Sequence, residues 1–471
     1  MFKLTVVNLI LTFLIIGSTA KAQHENRKAL PKNKKPNVVI LLADDLGYRD
    51  LSSYGSKEVE TPVLDQLAAS GMKFTNFYAA SGVCSPSRAA LLTGRFSLRA
   101  GVYSWLDPSQ KMHLHRDEIS IAEILKGAGY KTAHIGKWHL GYDLVAESGP
   151  GPNPHDQGFD YWFATANNAL PTHLNPNNFV RNGKAMGEMK GYSSQIVANE
   201  AINWLDNNVK SSEPFYLNLW FHEPHEKVAA PDEFTQRHKH TSTPAYYGSI
   251  ENMDINIGRV LKKLDDMNLS ENTIVIFMSD NGSKQGKEGS NGELKAAKGT
   301  LWEGGIRVPG IIRWPGKVKA GTIEETPAGL VDILPTITEI TGTSIPKDRT
   351  IDGTSLTPLF NNKKIARKKP LFWYYNPSRP VCVIREGDWN LIADPVIDIP
   401  KDNIFKEEWI GMIKESALTN FRLYNLKNDI SQKNDVSFQN PKLFEAMKKK
   451  MIALHKEVVT EARDWRTFSW K

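Results

Sequence analysis

The sequence has very little cysteine, with only Cys84 and Cys382 among 471 residues. A chain of this size with two cysteines has no disulfide framework, although one bond between the two is an open alternative. Blocks of like charge and recognisable nucleic-acid-binding modules are also lacking, so the formal net charge of +7 is weak evidence for a nucleic-acid partner. With 40% hydrophobic and 24% charged residues, the composition is typical of an ordinary globular protein.

Long apolar runs are scarce, and the clearest one lies at the N-terminus. A short basic start is followed by an apolar run over residues 4–16 and a small-x-small cleavage site at Ala20-Lys21-Ala22. This pattern predicts a secretory signal peptide over residues 1–22, because the run is too short and wrongly flanked for a membrane span. The alternative is an uncleaved anchor. Residues 23–36 are polar and basic, which predicts a flexible lead-in. We expect a periplasmic or secreted protein without a stable membrane anchor.

The length predicts one large domain and a smaller one. Continuous apolar runs, as in residues 37–43 and 273–278, are typical of strands buried on both faces of a parallel sheet. After a basic connector over residues 361–369, strand signals and a closing helix near residues 441–462 indicate a different architecture. We therefore predict an α/β fold with a large mixed, mostly parallel sheet flanked by helices over residues 37–362. A smaller C-terminal α+β subdomain of antiparallel sheet plus helix is predicted over residues 363–471.

The stretch SGVCSPSRAALLTGR, residues 81–95, predicts the start of a helix. Ser85 is suited to the N-cap and Pro86 to the first helical position. Cys84 would then precede a helix N-terminus, where backbone amides and the dipole favour negative charge, and Arg88 follows one turn later. A buried cysteine on an apolar helix start is the plainer alternative.

Polar side chains follow both of the predicted buried strands. The first strand ends in Asp44-Asp45 and the second in Asp280-Asn281. Ligands of open α/β sheets bind outside the carboxyl ends of the strands, and such oxygen donors suit hard divalent cations. One Asp could instead cap a turn while the other faces water, but the repeated ending favours a metal site.

Other polar residues stand at predicted strand ends or in loops. Lys137 and His139 are two apart, so their side chains point to the same side of an extended segment. His222 and His225 follow another apolar run, and by spacing alone they are ordinary loop residues. A glycine-rich loop leads to Lys298. The aromatic-rich segment 156–168 is predicted to be a loop.

Five motifs together resemble one known family. CSPSRAALLTGR fits a C-x-P-x-R signature, and GKWHLG, the DD-x-G and SDNG strand ends and KGTLWEGGIRVP occur in the same order across residues 37–315. On these motifs the sequence resembles the type I, formylglycine-dependent sulfatases of the alkaline phosphatase superfamily, which include arylsulfatases and glycosaminoglycan sulfatases. The resemblance implies an alkaline-phosphatase-like fold and a sulfuric ester hydrolase.

The resemblance also implies roles for individual residues. Cys84 would be oxidised by a separate formylglycine-generating (sulfatase-maturating) enzyme, and the formylglycine hydrate would be the nucleophile. A cation, Ca²⁺ or alternatively Mg²⁺, would be held by Asp44, Asp45, Asp280, Asn281 and the formylglycine at position 84. Arg88 would anchor the hydrate, Lys137 and Lys298 would bind sulfate oxygens, His139 would take a proton from the hydrate, and His222 would be the general acid.

The expected substrate is a sulfated carbohydrate, such as oligosaccharides of an algal ulvan, a carrageenan or a glycosaminoglycan. Two alternatives stay open: a phosphonate or phosphate monoester hydrolase of the same superfamily, and a catalytically silent carbohydrate-binding homologue. The silent homologue would have lost motif residues, and none is lost. The oligomeric state is not predicted. Candidates for the pocket are Tyr103, Trp105, His173, His225 and Arg385, which lie in or near loops expected around its mouth. Taken one at a time, each is more often a structural residue than a substrate-binding one.

Overall fold

The first strand, β1 (Asn37–Asp44), is buried along its whole length. Val38, Ile40 and Leu42 enter one apolar cluster, and the residues between them enter another. Successive side chains of a strand point to opposite faces of the sheet. The continuous apolar run therefore exists because both faces of the sheet are covered, as the sequence predicted.

The computed structural model describes residues 35–145, 151–210, 212–284, 290–402 and 404–468. The predicted signal peptide and the predicted lead-in up to residue 34 lie outside these ranges. From Lys35 onward the chain is one compact unit. No helix among the described residues is both long and apolar enough to cross a membrane.

Most of the strands belong to one large sheet. After β1 come β2 (Met72–Tyr78), β3 (Lys131–Lys137), β4 (Tyr161–Thr165), β5 (Val180–Arg181), β6 (Lys184–Ala185), β7 (Phe215–Pro224), β8 (Thr273–Ser279), β9 (Arg307–Arg313), β10 (Thr322–Glu324) and β11 (Ala328–Gly329). Their order is β10-β2-β9-β8-β1-β7-β3-β4-β5-β6, with β11 beside β2. The central strands β8, β1, β7, β3 and β4 are parallel, whereas β9 is antiparallel to both of its neighbours.

Helices pack on both faces of this sheet. The α-helices among the described residues are, in chain order, α1 (Pro62–Ala69), α2 (Cys84–Thr93), α3 (Ile121–Gly127), α4 (Ser193–Asn208), α5 (Asp232–Arg237), α6 (Pro244–Asp266), α7 (Glu303–Ile306), α8 (Ile333–Thr341), α9 (Thr357–Phe360), α10 (Trp409–Glu415) and α11 (Pro441–Glu461). Apolar residues of α1, α4 and α6 share one cluster with the sheet, and those of α2, α3 and α8 share the other.

A second sheet follows the basic connector. Its antiparallel strands are β12 (Leu371–Tyr374), β13 (Cys382–Glu386), β14 (Trp389–Pro395) and β15 (Leu418–Asn425). Met447 and Met451 of α11 pack in the same cluster as this sheet and α2. The indole of Trp373 also donates a hydrogen bond of 2.7 Å to the carbonyl of Ala79. The predicted fold class is confirmed, and the boundary between residues 362 and 363 stays a prediction.

The loop predicted over residues 156–168 was wrong in part. Within the segment predicted to be a loop, residues Tyr161–Thr165 form β4, with Phe163 opposite Ile135 of β3. Aromatic side chains favour a half-buried strand, and this preference outweighs the polar residues on either side of the segment, which favour a loop. The open alternative of a disulfide is also excluded, because Cys84 and Cys382 are both free and buried.

Candidate active site

The polar strand ends predicted to form a site meet at one edge of the large sheet. Asp44 ends β1, Lys137 ends β3, His222 lies near the end of β7, and Asp280 follows β8. The strands β8, β1, β7 and β3 are adjacent and parallel. Their carboxyl ends therefore open at the same edge, where doubly wound sheets bind their ligands.

Cys84 reaches this edge from the first position of α2. The residue before the helix is Val83, with extended φ and ψ of −144° and 161°. The predicted N-cap at Ser85 is therefore wrong, because that hydroxyl accepts a hydrogen bond from the amide of Leu106 instead. The sulfur of Cys84 lies 3.5 Å from Asp44 Oδ1 and 3.9 Å from Asp45 Oδ1.

Arg88 lies one turn further along α2 and is completely buried. Its Nε donates to Asp280 Oδ2 at 2.9 Å, and Nη2 lies 2.7 Å from the same oxygen and 3.3 Å from Asp44 Oδ1. A second hydrogen bond, of 3.0 Å, runs from Nη1 to the carbonyl of Lys137. Arg88 thus joins α2 to three strand ends. Among the described residues, Arg88 makes no hydrogen bond to Cys84. Its predicted contact with residue 84 therefore stays a prediction.

Two lysines bind the paired aspartates. Lys137 is fully buried, and its Nζ lies 2.7 Å from Asp44 Oδ2 and 3.8 Å from the Cys84 sulfur. Lys298 Nζ lies 2.5 Å from Asp45 Oδ2, with 18% of the side chain exposed. Both lysines that were predicted to bind sulfate therefore line the site, beside the proposed nucleophile.

The donor set fits a divalent cation. Asp44, Asp45, Cys84 and His225 each offer one ligand atom, and these atoms lie within 4.8 Å of one another. Asn281 Nδ2 donates to Asp45 Oδ1 at 2.7 Å, while its buried Oδ1 has no hydrogen-bond partner. A buried amide oxygen without a partner is costly, and a cation would satisfy it. Asp45 itself has φ of 64°, a left-handed conformation uncommon outside glycine.

Both oxygens of Asp280 already have partners. Oδ1 accepts from the backbone amide of Asp45 at 3.2 Å, and Oδ2 accepts from Arg88. Burial raises the pKa of Asp280 to about 7, with Arg88 opposing the rise and Asp44 and Asp45 adding to it. Its predicted place among the metal ligands stays a prediction.

Burial and the surrounding charges set the state of the other acidic groups. Burial raises the pKa of Asp44, but Lys137, His225, Arg88 and Lys298 together hold it well below its ordinary value. Burial also raises the pKa of the Cys84 thiol well above its ordinary value, although the two lysines oppose the rise. Cys84 is thus kept as a neutral thiol, which is a poor nucleophile.

The two predicted proton-transfer histidines are buried at the same edge. His139 has φ of 56°, and its Nε2 lies 3.2 Å from the carbonyl oxygen of Leu106. His222 Nε2 lies 2.7 Å from the hydroxyl oxygen of Thr165. The Nδ1 atom of each ring is buried without a hydrogen-bond partner. Burial lowers the pKa of both rings, so both are neutral at pH 7.

The residues expected around the mouth do not lie together. His225 belongs to the site, with Nε2 3.6 Å from Asp45 Oδ2, and His173 is buried with its ring 6.5 Å from that of His222. Tyr103 was placed wrongly, because its ring stacks on Phe405 and its hydroxyl donates to the carbonyl of Arg463.

Arg385 was also placed wrongly: it lies on β13 and lines a separate cleft. Trp105 is partly buried against the core.

Two contacts of the site were missed by the sequence analysis. Asn168 Oδ1 accepts a bond of 3.2 Å from Lys137 Nζ, and Thr165 contacts His222. Both residues lie at or just after the end of β4, the strand that was predicted to be a loop. Its run of aromatic residues was the signal that would have placed them at this edge.

Comparison with known proteins gives one consistent result. A family model described as Sulfatase matches residues 36–343, and one described as N-sulphoglucosamine sulphohydrolase, C-terminal, matches residues 296–393. N-acetylgalactosamine-6-sulfatase of Sus scrofa is 31% identical over 456 residues, which covers 88% of this chain and 84% of the relative. Arylsulfatase A of Homo sapiens is 34% identical over 384 residues, covering 76% and 74%.

Among solved structures, that of Ps i-CgsB in complex with k-i-k-neocarrahexaose is similar to this chain with a TM-score of 0.77 and 28% identity, and the match covers 92% of this chain and 94% of that one.

Proposed function

This chain belongs to the sulfatase family and is a sulfuric ester hydrolase, and on that basis we propose that it removes sulfate from a sulfated carbohydrate through a formylglycine at position 84. The observation that carries the proposal is the convergence on Cys84. Its sulfur lies 3.8 Å from Lys137 Nζ and within 3.9 Å of both paired aspartates. A cationic side chain that can hold a sulfate group and two carboxylates that can hold a cation therefore lie beside the position where the nucleophile is expected.

The proposal needs a modified residue at position 84. A protonated thiol attacks poorly, and a sulfuryl group on sulfur would have no internal route of release. A formylglycine hydrate supplies one hydroxyl for attack and a second that expels the sulfate. The proposed partner is a sulfatase-maturating enzyme, which would oxidise Cys84.

A divalent cation fits beside residue 84. Asp44, Asp45 and Asn281 would hold it, together with residue 84 and Asp280, and Ca²⁺ or Mg²⁺ would suit these oxygen donors. When bound, it supplies positive charge that favours an ionised hydroxyl and neutralises sulfate oxygens.

The remaining residues bind the ester and move protons. Lys137 and Lys298 direct ammonium groups toward the sulfate, and Arg88 fixes Asp44 and Asp280 in position. The neutral imidazole of His139 accepts a proton from residue 84. His222 protonates the leaving sugar oxygen, because an ester anion bound nearby favours the charged form of this ring. A positioned general acid contributes roughly 10²–10⁴-fold.

Two relatives support the proposed substrate class. N-acetylgalactosamine-6-sulfatase is named for a sulfated sugar, and Ps i-CgsB is described in complex with k-i-k-neocarrahexaose. We propose an oligosaccharide of a glycosaminoglycan or an algal polysaccharide such as ulvan or carrageenan. The leader-like residues 1–22 support export to the periplasm or the medium, which N-terminal sequencing of the mature protein would test.

Sulfate release from a panel of defined sulfated oligosaccharides tests this function. The panel includes 4-nitrophenyl sulfate and the matching phosphate and phosphonate, with Cys84→Ala as the control. We expect release from at least one sugar, no release by the control, and an aldehyde on the residue-84 peptide in intact-peptide mass spectrometry. Turnover of aryl sulfates alone would refute the carbohydrate substrate, and preferred turnover of the phosphonate would refute the sulfatase activity. Free thiol throughout an active preparation would refute the formylglycine.

A further inference from the structure

A second cleft, of about 450 Å³, lies between the connector before β12, the β13–β14 turn and helix α11. This volume is in the range of small-ligand pockets. We call it the Arg385 cleft, and none of the residues that meet at the candidate active site lines it. Its charged lining consists of five cations and two carboxylates, which are Arg367, Lys368, Lys369, Arg385, Lys450, Glu386 and Glu457.

Both carboxylates of the cleft are already paired. Glu386 accepts from Lys450 at 2.7 Å. Glu457 accepts from Lys369 at 2.8 Å and also from Arg99 at 2.7 Å. Arg367 is also paired, with Asp332 at 2.7 Å. Among the described residues, Arg385 and Lys368 are therefore the cations of the lining without an ion pair, and they give the cleft its positive surplus.

Arg385 is the unusual member of this lining, because it is a buried cation without an acidic partner. The residue is 3% exposed. Its Nε donates to the carbonyl of Gly387 at 2.9 Å, Nη2 lies 3.5 Å from Asn76 Oδ1, and the buried Nη1 has no hydrogen-bond partner. No carboxylate forms an ion pair with it in the part of the chain that the structure describes. Buried charges are normally paired, so this guanidinium favours an anion that enters from the cleft.

Lys368 extends the positive surface beyond Arg385. It is exposed, and it lines both this cleft and a neighbouring one of about 630 Å³. Lys369 lines both clefts as well. A ligand that carries several anionic groups along a chain could contact both clefts across these lysines, whereas a single small ion could contact only one.

We propose that the Arg385 cleft is a second, non-catalytic binding site for an acidic oligosaccharide, with a sulfate ester or carboxylate of the sugar chain bound to Arg385 and Lys368. The site would hold a long substrate on the enzyme between cleavage events. The proposal rests on the proposed function for the chemistry of the ligand, but binding here needs no turnover. Inorganic sulfate carries the same anionic group, so the experiment must distinguish binding of free sulfate from binding of the sugar chain.

Hydrogen–deuterium exchange of the full chain carrying Cys84→Ala tests the proposal without turnover. The probes are a heparin-derived hexasaccharide and, separately, inorganic sulfate. We expect the hexasaccharide to protect peptides that cover residues 363–370 and 385–387. Lys368→Glu should weaken this protection about fivefold or more in midpoint concentration, because a repulsive charge replaces an attractive one. Lys364→Glu is the matched control, since Lys364 is exposed on the same connector but does not line the cleft.

Arg385→Gln is the second variant, because it removes the guanidinium while keeping an amide donor. We expect a loss of about tenfold or more in binding at the cleft, which is typical of a hydrogen bond to a charged group, with an unchanged far-ultraviolet circular dichroism spectrum.

Three results would overturn the proposal: protection confined to peptides around residues 44–45 and 84, equal weakening by both lysine variants, or protection by inorganic sulfate at the same concentration as by the hexasaccharide. Sulfate release by the unmutated enzyme is measured in parallel, so a failure of the proposed function is distinguished from a failure of this site.

Discussion

Replacement of Arg88 by methionine should both destabilise the protein and strongly slow sulfate release. Arg88 is completely buried and holds Asp280 at 2.7–2.9 Å and Asp44 at 3.3 Å. Methionine fills a similar volume, but it removes the positive charge that pairs with the buried carboxylates of Asp280 and Asp44. Removal of one partner from a buried ion pair costs about 3–5 kcal/mol. We expect a loss of this size in the free energy of unfolding when no divalent cation is present.

Urea unfolding followed by tryptophan fluorescence, in EDTA at pH 7, measures this loss. Arg99→Met is the matched control, because Arg99 is also buried and pairs with Asp352 at 3.0 Å outside the site. Arg99 also pairs with Glu457 and Glu461, but both of these carboxylates are exposed to solvent, and Asp352 keeps Lys369 at 3.2 Å. The control should therefore lose less stability than Arg88→Met. The control should release sulfate normally, whereas Arg88→Met should lose about a hundredfold or more, as when a charge-stabilising group is removed from an active site.

The reasoning would be refuted if Arg88→Met unfolded within about 1 kcal/mol of the unmutated protein, a typical change for an ordinary substitution. It would also be refuted if Arg88→Met kept its activity, since Arg88 would then not position the carboxylates of the site.

Three further predictions concern the general acid, the cation and the response to acid. His222→Ala should slow sulfate release from sugar sulfates about 10²-fold or more. It should affect 4-nitrophenyl sulfate much less, because nitrophenolate leaves without a proton. Equal losses in kcat on both substrates would contradict the role of His222 as general acid. EDTA should abolish sulfate release without unfolding the chain, because Asp280, Asp44 and Asp45 already pair with Arg88, Lys137 and Lys298, respectively. Added Ca²⁺ should restore sulfate release. Full activity after dialysis against EDTA would count against a catalytic cation.

Burial lowers the pKa of His455 to about 4, so this ring is neutral in the folded state while the unfolded chain takes up a proton below about pH 6.5. Stability from this group is therefore present above pH 6.5 and lost as the pH falls toward 4, by up to about 3 kcal/mol. His455→Phe, which can still stack on Tyr374, should lose less stability in urea unfolding between pH 7 and 4.5, and parallel losses would disprove the account.

The local pattern of the sequence predicted the elements that build the site. Runs such as residues 37–43 are apolar without alternation because both faces of the sheet are covered, so they indicate parallel strands directly. Asp44 and Asp280 end two such strands, and parallel strands of one sheet present their carboxyl ends at one edge. The motif around Cys84 and Arg88 and the four other motifs, which occur in the same order as in the sulfatases, carry the resemblance to that family without tertiary information.

Only the tertiary structure decided which side chains touch. Lys298 and His225 both meet Asp45, although the three residues are far apart in the sequence, because loops without periodicity carry them to the sheet edge. The same limit explains the misplaced Arg385, since nothing local shows which face of β13 points toward Tyr78. The aromatic run of β4 is a local strand signal, but only its pairing with β3 places Thr165 and Asn168 at the edge of the site. Spacing in a sequence fixes neighbours along one element, whereas burial and pairing between elements decide the contacts of a site.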